Sequence, residues 1–412
     1  MAPSARSRVD LGQRVKRRLH SWLALGVVAV GVGIAVITGL LLWVTSTPPL
    51  YSDPRTVSSI VGISPGREWA TSVERAREIV RVGMAKQSLP GVSVAVGAGG
   101  RVIWTEGFGS TDLDSRAPVA PDSRFRVGTQ SIVLTSAAAG LLIERGRLRL
   151  DESIHTYVPS FPAKQWPLTV RQLMGHTAGM STDGGDEGPF HEICEHTDEG
   201  LRLFKDRDLR FQPDTQFRFS TFGWILVSAA IEAAADVPVL DFMRREIFEP
   251  LGMVDTKPDD AHEVVPNRVT SYFPRFAADP RYGLHLTRPL DFSCYSGAYV
   301  FLSTPADMVR FGLAVNGGQL LRLETVAQLQ SEQRLSSGVG TGYGLGWDLE
   351  RTTIAGAPTR WAGHDGTVMG GMVSALITFP ERGLVVSVMS NISFAEVEEM
   401  AVRIAQAFTL EA

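Results

Sequence analysis

The chain has 412 residues, of which 44% are hydrophobic and 20% are charged, enough for one large hydrophobic core or two medium-sized ones. Its formal charge is −4, but six basic residues and one acidic residue fall within the first twenty positions, which leaves −9 on the remainder. That remainder has no basic stripe, and no sequence period repeats. We therefore exclude nucleic acid as an expected partner and a repeat architecture as the expected fold.

The first predicted element is a membrane-spanning helix at residues 22–44. These 23 positions carry no charged side chain, and they are long enough to cross a hydrocarbon core of about 30 Å. Trp22 and Trp43 lie near the ends, as interfacial aromatic residues do, and the preceding basic residues indicate that residues 1–21 stay on the cytoplasmic side. We expect a single-pass anchor in an inner or plasma membrane, with the body on the periplasmic or extracytoplasmic side.

Two other interpretations of the N-terminus remain open. A cleavable signal peptide has a shorter apolar core that ends in small residues, whereas this segment ends in the bulky run at 40–44, so an uncleaved anchor is favoured. An arginine-rich, acid-poor start is also typical of a mitochondrial presequence. In a eukaryotic source we therefore expect the mitochondrial inner membrane, with residues 1–21 on the matrix side and the body facing the intermembrane space.

The anchor is followed by a predicted linker and then by the body. Residues 45–68 are rich in Ser, Thr, Pro and Gly, which is typical of a linker, so the globular body is expected to cover residues 69–412. Near its start, Thr71 and Glu74 have the spacing of a capping box, which predicts that a first helix begins there.

Strand patterns near both ends of the body predict one antiparallel sheet. Residues 91–96 and 101–105 are β-rich and joined by glycines, and residues 373–379 and 384–389 form a second such pair, followed by a helix over about 393–408. The middle of the body is rich in helix and loop patterns. We therefore predict an α+β fold, an antiparallel sheet flanked by helices with a helical subdomain.

Residues 125–132 read FRVGTQSI, and an alanine-rich segment leads from them to GRLRLD at 146–151. This order resembles the nucleophile segment of class C β-lactamases and related penicillin-binding proteins, in which a helix opens with Ser-x-x-Lys. In that register Thr129 takes the serine position and Ile132 takes the lysine position. A secondary hydroxyl thus stands in place of the nucleophile, and a hydrocarbon in place of its amine partner.

Two further segments carry the same resemblance. Phe219 and Thr221 stand where the family has the first and last residues of Tyr-x-Asn, and His364 and Gly366 match its His/Lys-x-Gly strand. The motif FSTFG at 219–223 is similar to the corresponding motif of the mitochondrial serine β-lactamase-like branch of the family, which also has threonine at the third position. Phe219 differs, because it lacks the one hydroxyl that would shuttle protons. None of the five lysines in the chain follows a serine or threonine by three positions.

The resemblance implies a β-lactamase/transpeptidase-like fold and a largely degenerate site at Thr129, Ile132, Phe219, Thr221, His364 and Gly366. We favour the hypothesis of a catalytically inactive, membrane-anchored protein that acts as a binding or structural subunit of a membrane assembly. The alternative is a peptidase or esterase in which Thr129 attacks with His364 as its base. Neither hypothesis calls for a cofactor, and the sequence identifies no ligand.

A second polar cluster occupies residues 191–198, where His191 and His196 accompany several acidic residues at helical spacing. It matches no zinc signature and lies in a Gly- and Asp-rich loop, so we favour a solvated loop over a metal site. The chain contains two cysteines, Cys194 and Cys294, too few for a disulfide framework or a paired metal motif. In an oxidising compartment the two cysteines could pair, but two unlinked thiols are the favoured expectation.

Overall fold

The computed structural model describes residues 5–45, 47–181, 192–260, 263–287, 290–368 and 370–408. Its helices are α1 (Ala5–Thr45), α2 (Ala70–Gln87), α3 (Ser131–Glu144), α4 (Ile154–Tyr157), α5 (Val170–Met174), α6 (Thr221–Ala235), α7 (Val239–Met243), α8 (Pro305–Asn316), α9 (Leu323–Leu329) and α10 (Val397–Ala407). Its strands are β1 (Ser59–Val61), β2 (Gly91–Ala98), β3 (Arg101–Gly109), β4 (Phe125–Arg126), β5 (Lys257–Pro258), β6 (Tyr272–Pro274), β7 (Leu284–Leu286), β8 (Phe301–Ser303), β9 (Asp348–Ile354), β10 (Ala357–Val368), β11 (Met372–Phe379) and β12 (Leu384–Ser390).

The chain divides into two compact units, residues 1–48 and 49–412. The described part of the first unit contains the long helix α1. Within the described ranges, Trp22–Trp43 is the one segment long and apolar enough to cross a membrane, with a mean hydropathy of 2.6. Its apolar side chains are exposed, which suits a helix surrounded by lipid. The structure therefore contains one helix that could anchor the chain in a membrane.

The second unit is built on a seven-stranded sheet with the strand order β1-β3-β2-β12-β11-β10-β9. Strands β2 and β3 form a hairpin whose turn residues, Gly99 and Gly100, have φ values of 58° and 76°. Glycine adopts such angles without a steric clash. Strand β12 pairs with β2 in antiparallel register from Leu384 opposite Ala98 onward. The strand pairs near the two ends of the body thus join one antiparallel sheet, as predicted.

Helices cover both faces of this sheet. Val94 and Val96 of β2 point into the core that contains α2 and α10, whereas Ala95 points into the core on the opposite face. Because both faces are covered, strand β2 is buried at every position, and Ser93 is its one polar residue.

The helical subdomain packs around α3 and α6. The first twelve residues of α3, Ser131 to Leu142, are all buried, and α6 contacts α3, α4, α5 and α7. A helix that is apolar on all sides is expected to be enclosed on all sides. The predicted fold class, an antiparallel sheet with flanking helices and a helical subdomain, is confirmed.

The predicted start of the first helix was wrong. Helix α2 begins at Ala70, directly after a 3₁₀ turn at Arg67–Trp69, and its N-cap is Trp69, which makes no side-chain cap hydrogen bond. The preceding turn already determines the direction of the chain, so Thr71 falls inside the helix. Glu74 forms an ion pair with Arg77 instead of closing a capping box.

The expectation of two unlinked thiols was also wrong. Cys194 and Cys294 form a disulfide across a sequence separation of 100 residues, with their Cα atoms 4.9 Å apart. The turn after Cys194 packs against the 3₁₀ turn Ser293–Tyr295, and the Cys194 amide donates to Ser293 Oγ at 2.9 Å. Tertiary packing thus brings together two cysteines whose spacing in the sequence gives no sign of pairing.

Candidate active site

Thr129 lies in a 3₁₀ turn, Gly128–Gln130, that leads into α3. Gly128 has a φ of 58°, which glycine tolerates and which turns the chain from β4 into the helix. The Thr129 hydroxyl donates to the carbonyl of Asp365 at 3.2 Å and accepts from the amide of Thr367 at 3.4 Å. The residue at the nucleophile position is therefore held against strand β10.

Gly366 allows β10 to approach this turn. A Cβ atom at Gly366 would lie 1.9 Å from the carbonyl oxygen of Val127 and 2.3 Å from Ser374 Oγ. Because backbone atoms cannot move aside for a side chain, the close packing of the two segments requires glycine at this position.

His364 is 2% exposed, and both of its ring nitrogens are engaged. Nδ1 contacts the Asp365 carbonyl oxygen, and Nε2 lies 3.0 Å from the Tyr343 hydroxyl. A carbonyl oxygen can only accept, so in the neutral ring Nδ1 carries the proton and Nε2 accepts the Tyr343 O–H. The lone pair that a general base would use is therefore directed at Tyr343.

Phe219 belongs to an aromatic cluster beside His364. Its ring centroid lies 6.0 Å from that of His364 and 4.4 Å from that of His176, and His176 lies 4.8 Å from Tyr343. Burial, and secondarily the nearby His364, holds the pKa of His176 well below its usual value of 6.5. His176 is therefore neutral, and its Nδ1 accepts the amide N–H of Ser220 at 3.1 Å.

The other two predicted site residues lie in the helices behind this cluster. Ile132 is one turn along α3 from Thr129, is 0% exposed and belongs to the apolar core. Thr221 is the first residue of α6 and is also fully buried. The structure thus brings Thr129, His364 and Gly366 into one contact region with Phe219 at its edge, whereas Ile132 is part of the hydrophobic core.

Two carboxylates flank the histidine. Asp348 and Asp365 each have an oxygen 3.9 Å from Nδ1 of His364. The possible ligand atoms of these three side chains all lie within 4.8 Å of one another. Within the described ranges, they are the group of side chains that could hold a metal ion. Nδ1 would have to lose its proton to bind a cation. Burial, the largest cause, raises the pKa of Asp348 and raises that of Tyr343 well above 10.0.

The polar cluster predicted at residues 191–198 lies partly outside the described residues, because His191 falls there. Glu195 and His196 are exposed, and Arg202 forms an ion pair with Glu192 at 3.1 Å. Cys194 is committed to the disulfide and offers no thiolate.

The sequence did not identify Tyr343, His176, Asp348 or Thr367 as parts of the site. Tyr343 lies in the segment YGLGW at 343–347 and His176 in LMGHTAGM at 173–180, but sequence order does not tell which ring faces His364. Thr367 contributes its backbone amide. Because almost every residue type has that group, no side-chain pattern could have revealed its role.

Comparison with known proteins gives consistent results. A family model described as Beta-lactamase matches residues 76–409. The human serine beta-lactamase-like protein LACTB, mitochondrial, is 26% identical over 83% of this chain and 80% of its own length. Penicillin-binding protein 4* of Bacillus subtilis is 25% identical over 66% of this chain and 62% of its own length.

Solved structures show the same fold. D-amino acid amidase from Ochrobactrum anthropi aligns with a TM-score of 0.69 at 24% identity, over 82% of this chain and 99% of the amidase. The octameric penicillin-binding protein homologue from Pyrococcus abyssi aligns with a TM-score of 0.67 at 22% identity, over 82% of this chain and 77% of its own. At these identities the likeness establishes the architecture alone.

Proposed function

Because the chain belongs to the beta-lactamase family, we propose that it is a membrane-anchored member of that family without covalent catalysis. It acts by binding, or as a structural subunit of a membrane assembly. The chain has the family's fold, but Ile132 and Phe219 stand where the resemblance places the lysine and tyrosine that would take the proton from the hydroxyl of Thr129.

The observation that carries this proposal is the hydrogen bond from Thr129 to the Asp365 carbonyl, 3.2 Å long. A carbonyl oxygen is too weak a base to accept that proton, whereas nucleophilic catalysis needs a basic group within hydrogen-bond reach. Among the described residues, no ionisable side chain forms a hydrogen bond with Thr129 Oγ1. The position of the amine partner holds the buried Ile132, and that of the phenol holds Phe219.

The anchoring part of the proposal rests on the apolar stretch Trp22–Trp43 and on the basic residues that precede it. We propose a single pass, with residues 1–21 on the cytoplasmic or matrix side and the body on the periplasmic side or in the intermembrane space. The mitochondrial name of the human relative supports the second location where the source is eukaryotic. Residues 45–68 then form the linker between the anchor and the body.

One observation favours a second candidate function, hydrolysis by Thr129 with His364 as its base. The Thr367 amide points at Thr129 Oγ1 from 3.4 Å, and a backbone N–H beside a nucleophile is the kind of donor that stabilises a developing oxyanion. In that case the Tyr343 hydroxyl must leave Nε2 of His364 before the histidine can take a proton.

The test between these functions is acylation of the full-length protein in detergent. The protein is incubated with a penicillin and, separately, with a fluorophosphonate, and its intact mass is measured, with Thr129→Ala as the matched control. We expect no adduct and no hydrolysis across a panel of aryl and alkyl esters. A stoichiometric adduct that is present in the parent protein and absent from Thr129→Ala would falsify the proposed lack of catalysis and establish the second function.

The anchor is tested by alkaline extraction of membranes from cells that express the full chain. We expect the protein to stay in the membrane pellet, as an inserted helix does. A variant with Val30→Asp and Ile34→Asp in the middle of the apolar stretch should be released. Release of the parent protein under the same conditions would contradict the anchor.

A further inference from the structure

A cavity of about 340 Å³ lies where the end of α8, helix α9, strand β10 and the turn after β11 meet. We name it the α8–α9 cavity. It is lined by none of the residues that form the contacts around Thr129 and His364. Its volume falls within the range of roughly 300–1,000 Å³ that is typical of small-molecule sites.

Two amide side chains in the wall of this cavity have buried polar atoms without a protein partner. Gln330 is 7% exposed, and its Nε2 forms no hydrogen bond with the described protein. Asn316, at the C-terminal end of α8, leaves both Oδ1 and Nδ2 without a partner. A buried polar group without a partner costs about 1–3 kcal/mol. These atoms are buried in the wall behind the cavity surface, so a bound molecule reaches them only after the amide side chains turn toward it.

Opposite charges line the same cavity without neutralising each other. Arg360 donates to the backbone carbonyl of Gln330, which brings its guanidinium to the Gln330 end of the cavity. No carboxylate among the described residues lies within 4.0 Å of Arg360, although Glu381 also lines the cavity. The cavity therefore presents a cation and an anion that are not paired with each other.

The remaining wall is apolar. Leu323, Val326 and Ala327 of α9 contribute aliphatic side chains, together with Pro380. Leu323 is 58% exposed, so part of this surface is open for contact with a ligand. An aliphatic group of a few carbons would cover it and gain roughly 0.8 kcal/mol per buried methylene.

We propose that the α8–α9 cavity binds a free α-amino acid with an aliphatic side chain. The ligand's carboxylate pairs with Arg360, and its ammonium pairs with Glu381. The amides of Gln330 and Asn316 turn toward the ligand and gain the partners that they lack. Its side chain packs against Leu323 and Val326. This binding is non-covalent and independent of the proposed function of the Thr129 site, so either proposal can fail without the other.

The test is isothermal titration calorimetry on the full-length protein in detergent with three probes. Leucine carries both charges, N-acetylleucine lacks the ammonium, and leucinamide lacks the carboxylate. A hydrogen-bonded charged contact contributes about 1.5–3 kcal/mol, so we expect each capped probe to bind at least about tenfold more weakly than leucine.

Charge-removing variants assign each end of the ligand to its partner. Arg360→Gln should bind leucine and leucinamide equally, because the partner of the carboxylate is gone, and should still prefer leucine to N-acetylleucine. Glu381→Gln should bind leucine and N-acetylleucine equally, because the partner of the ammonium is gone, and should still prefer leucine to leucinamide. The matched controls are Arg351→Gln and Glu324→Gln. Arg351 is an exposed arginine on β9 opposite Arg360, and Glu324 is an exposed glutamate on α9. Both variants should leave all three affinities unchanged.

The inference is overturned if leucine gives no saturable heat or if the capped probes bind as tightly as leucine. It is also overturned if the cavity variants behave like their controls. Thr129→Ala separates the two sites, because it should bind leucine as the parent does. Loss of leucine binding in Thr129→Ala would place the ligand at the wrong site and overturn the proposal while leaving the inactive-enzyme proposal untouched.

Discussion

The hydroxyl of Tyr343 lies 3.0 Å from Nε2 of His364. The phenol that is missing at Phe219 is thus present in the same region on a different segment, but it donates to the histidine lone pair rather than standing beside Thr129. Both side chains are almost fully buried, at 2% exposure. The phenol and the imidazole therefore satisfy each other's hydrogen-bonding groups.

The Tyr343 hydrogen bond stabilises the fold. Tyr343→Phe would leave Nε2 of His364 as a buried acceptor without its donor, so we expect a loss of about 1–3 kcal/mol in the free energy of unfolding. Urea denaturation followed by tryptophan fluorescence measures it. Tyr282→Phe, at a partly exposed tyrosine, is the control and should change stability by less than about 0.5 kcal/mol. Equal losses in both variants would contradict the role assigned to the pair.

Restoring the residues that the family has at three site positions should restore hydrolytic activity. We expect the triple variant Thr129→Ser, Ile132→Lys and Phe219→Tyr to gain measurable esterase activity, because it supplies a primary hydroxyl, an amine and a phenol at the matching positions. Hydrolysis of a chromogenic ester is the measurement, and the same triple variant with Ser at 129 replaced by Ala is the control. An inert but folded triple variant would mean that the cleft itself no longer admits a substrate.

Ile132→Lys alone should be costly. The position is 0% exposed and apolar, and a buried ammonium without a partner destabilises a protein by several kcal/mol. We expect a marked fall in the urea midpoint of this variant and a small change for Ile132→Met, which conserves volume. A midpoint like that of Ile132→Met would show that the position reaches solvent or a carboxylate.

Glu398 should make stability depend on pH. Burial, followed by the carboxylates of Asp365, Glu350 and Asp348, raises the pKa of Glu398 from 4.5 to about 7. The folded state therefore retains a proton that the unfolded state has already lost between these two pH values. This group's contribution to stability is fully present below about pH 4.5 and is lost as the pH rises to about 7 and above.

Glu398→Gln should remove that dependence. We expect the variant to be more stable than the parent by about 1 kcal/mol at pH 8, a value reduced for the partial exposure of the side chain, and about equal to it at pH 4.5. Urea midpoints at the two pH values measure the difference. Glu399→Gln, at the exposed neighbouring position, should leave the pH dependence unchanged. A gain at pH 4.5 equal to that at pH 8 would exclude ionisation as the cause.

The disulfide should be both complete and stabilising. Alkylation of the denatured, unreduced protein should add no mass, because Cys194 and Cys294 are paired. Replacing both by alanine opens a loop that spans 100 residues, for which we expect a loss of about 2–5 kcal/mol. Two alkylated thiols in the parent protein, or unchanged stability in the double variant, would contradict this.

The sequence by itself determined much of the architecture. The strand runs at 91–96 and 384–389 were predictable because they are rich in valine and other apolar residues and are bounded by glycine-containing turns, which are local signals. The nucleophile segment at Thr129 and the strand at His364 were predictable because the order of short motifs does not depend on where they meet. That Ile132 and Phe219 stand where the resemblance expects lysine and tyrosine is likewise read from residue identity alone.

Only the tertiary structure decided which groups contact one another. Three contacts show this: the disulfide between Cys194 and Cys294, the hydrogen bond between Tyr343 and His364, and the hydrogen bond from Thr129 to Asp365. They join residues that are 21 to 236 positions apart in the sequence. Such contacts depend on how the helices and the sheet pack, and local sequence patterns report the conformation of neighbouring residues but not the distance between remote ones. Thr129, His364 and Gly366 could therefore be named as candidate site residues from the chain, whereas their contacts with one another and with Tyr343 were set by the packing that brings β10 against the start of α3.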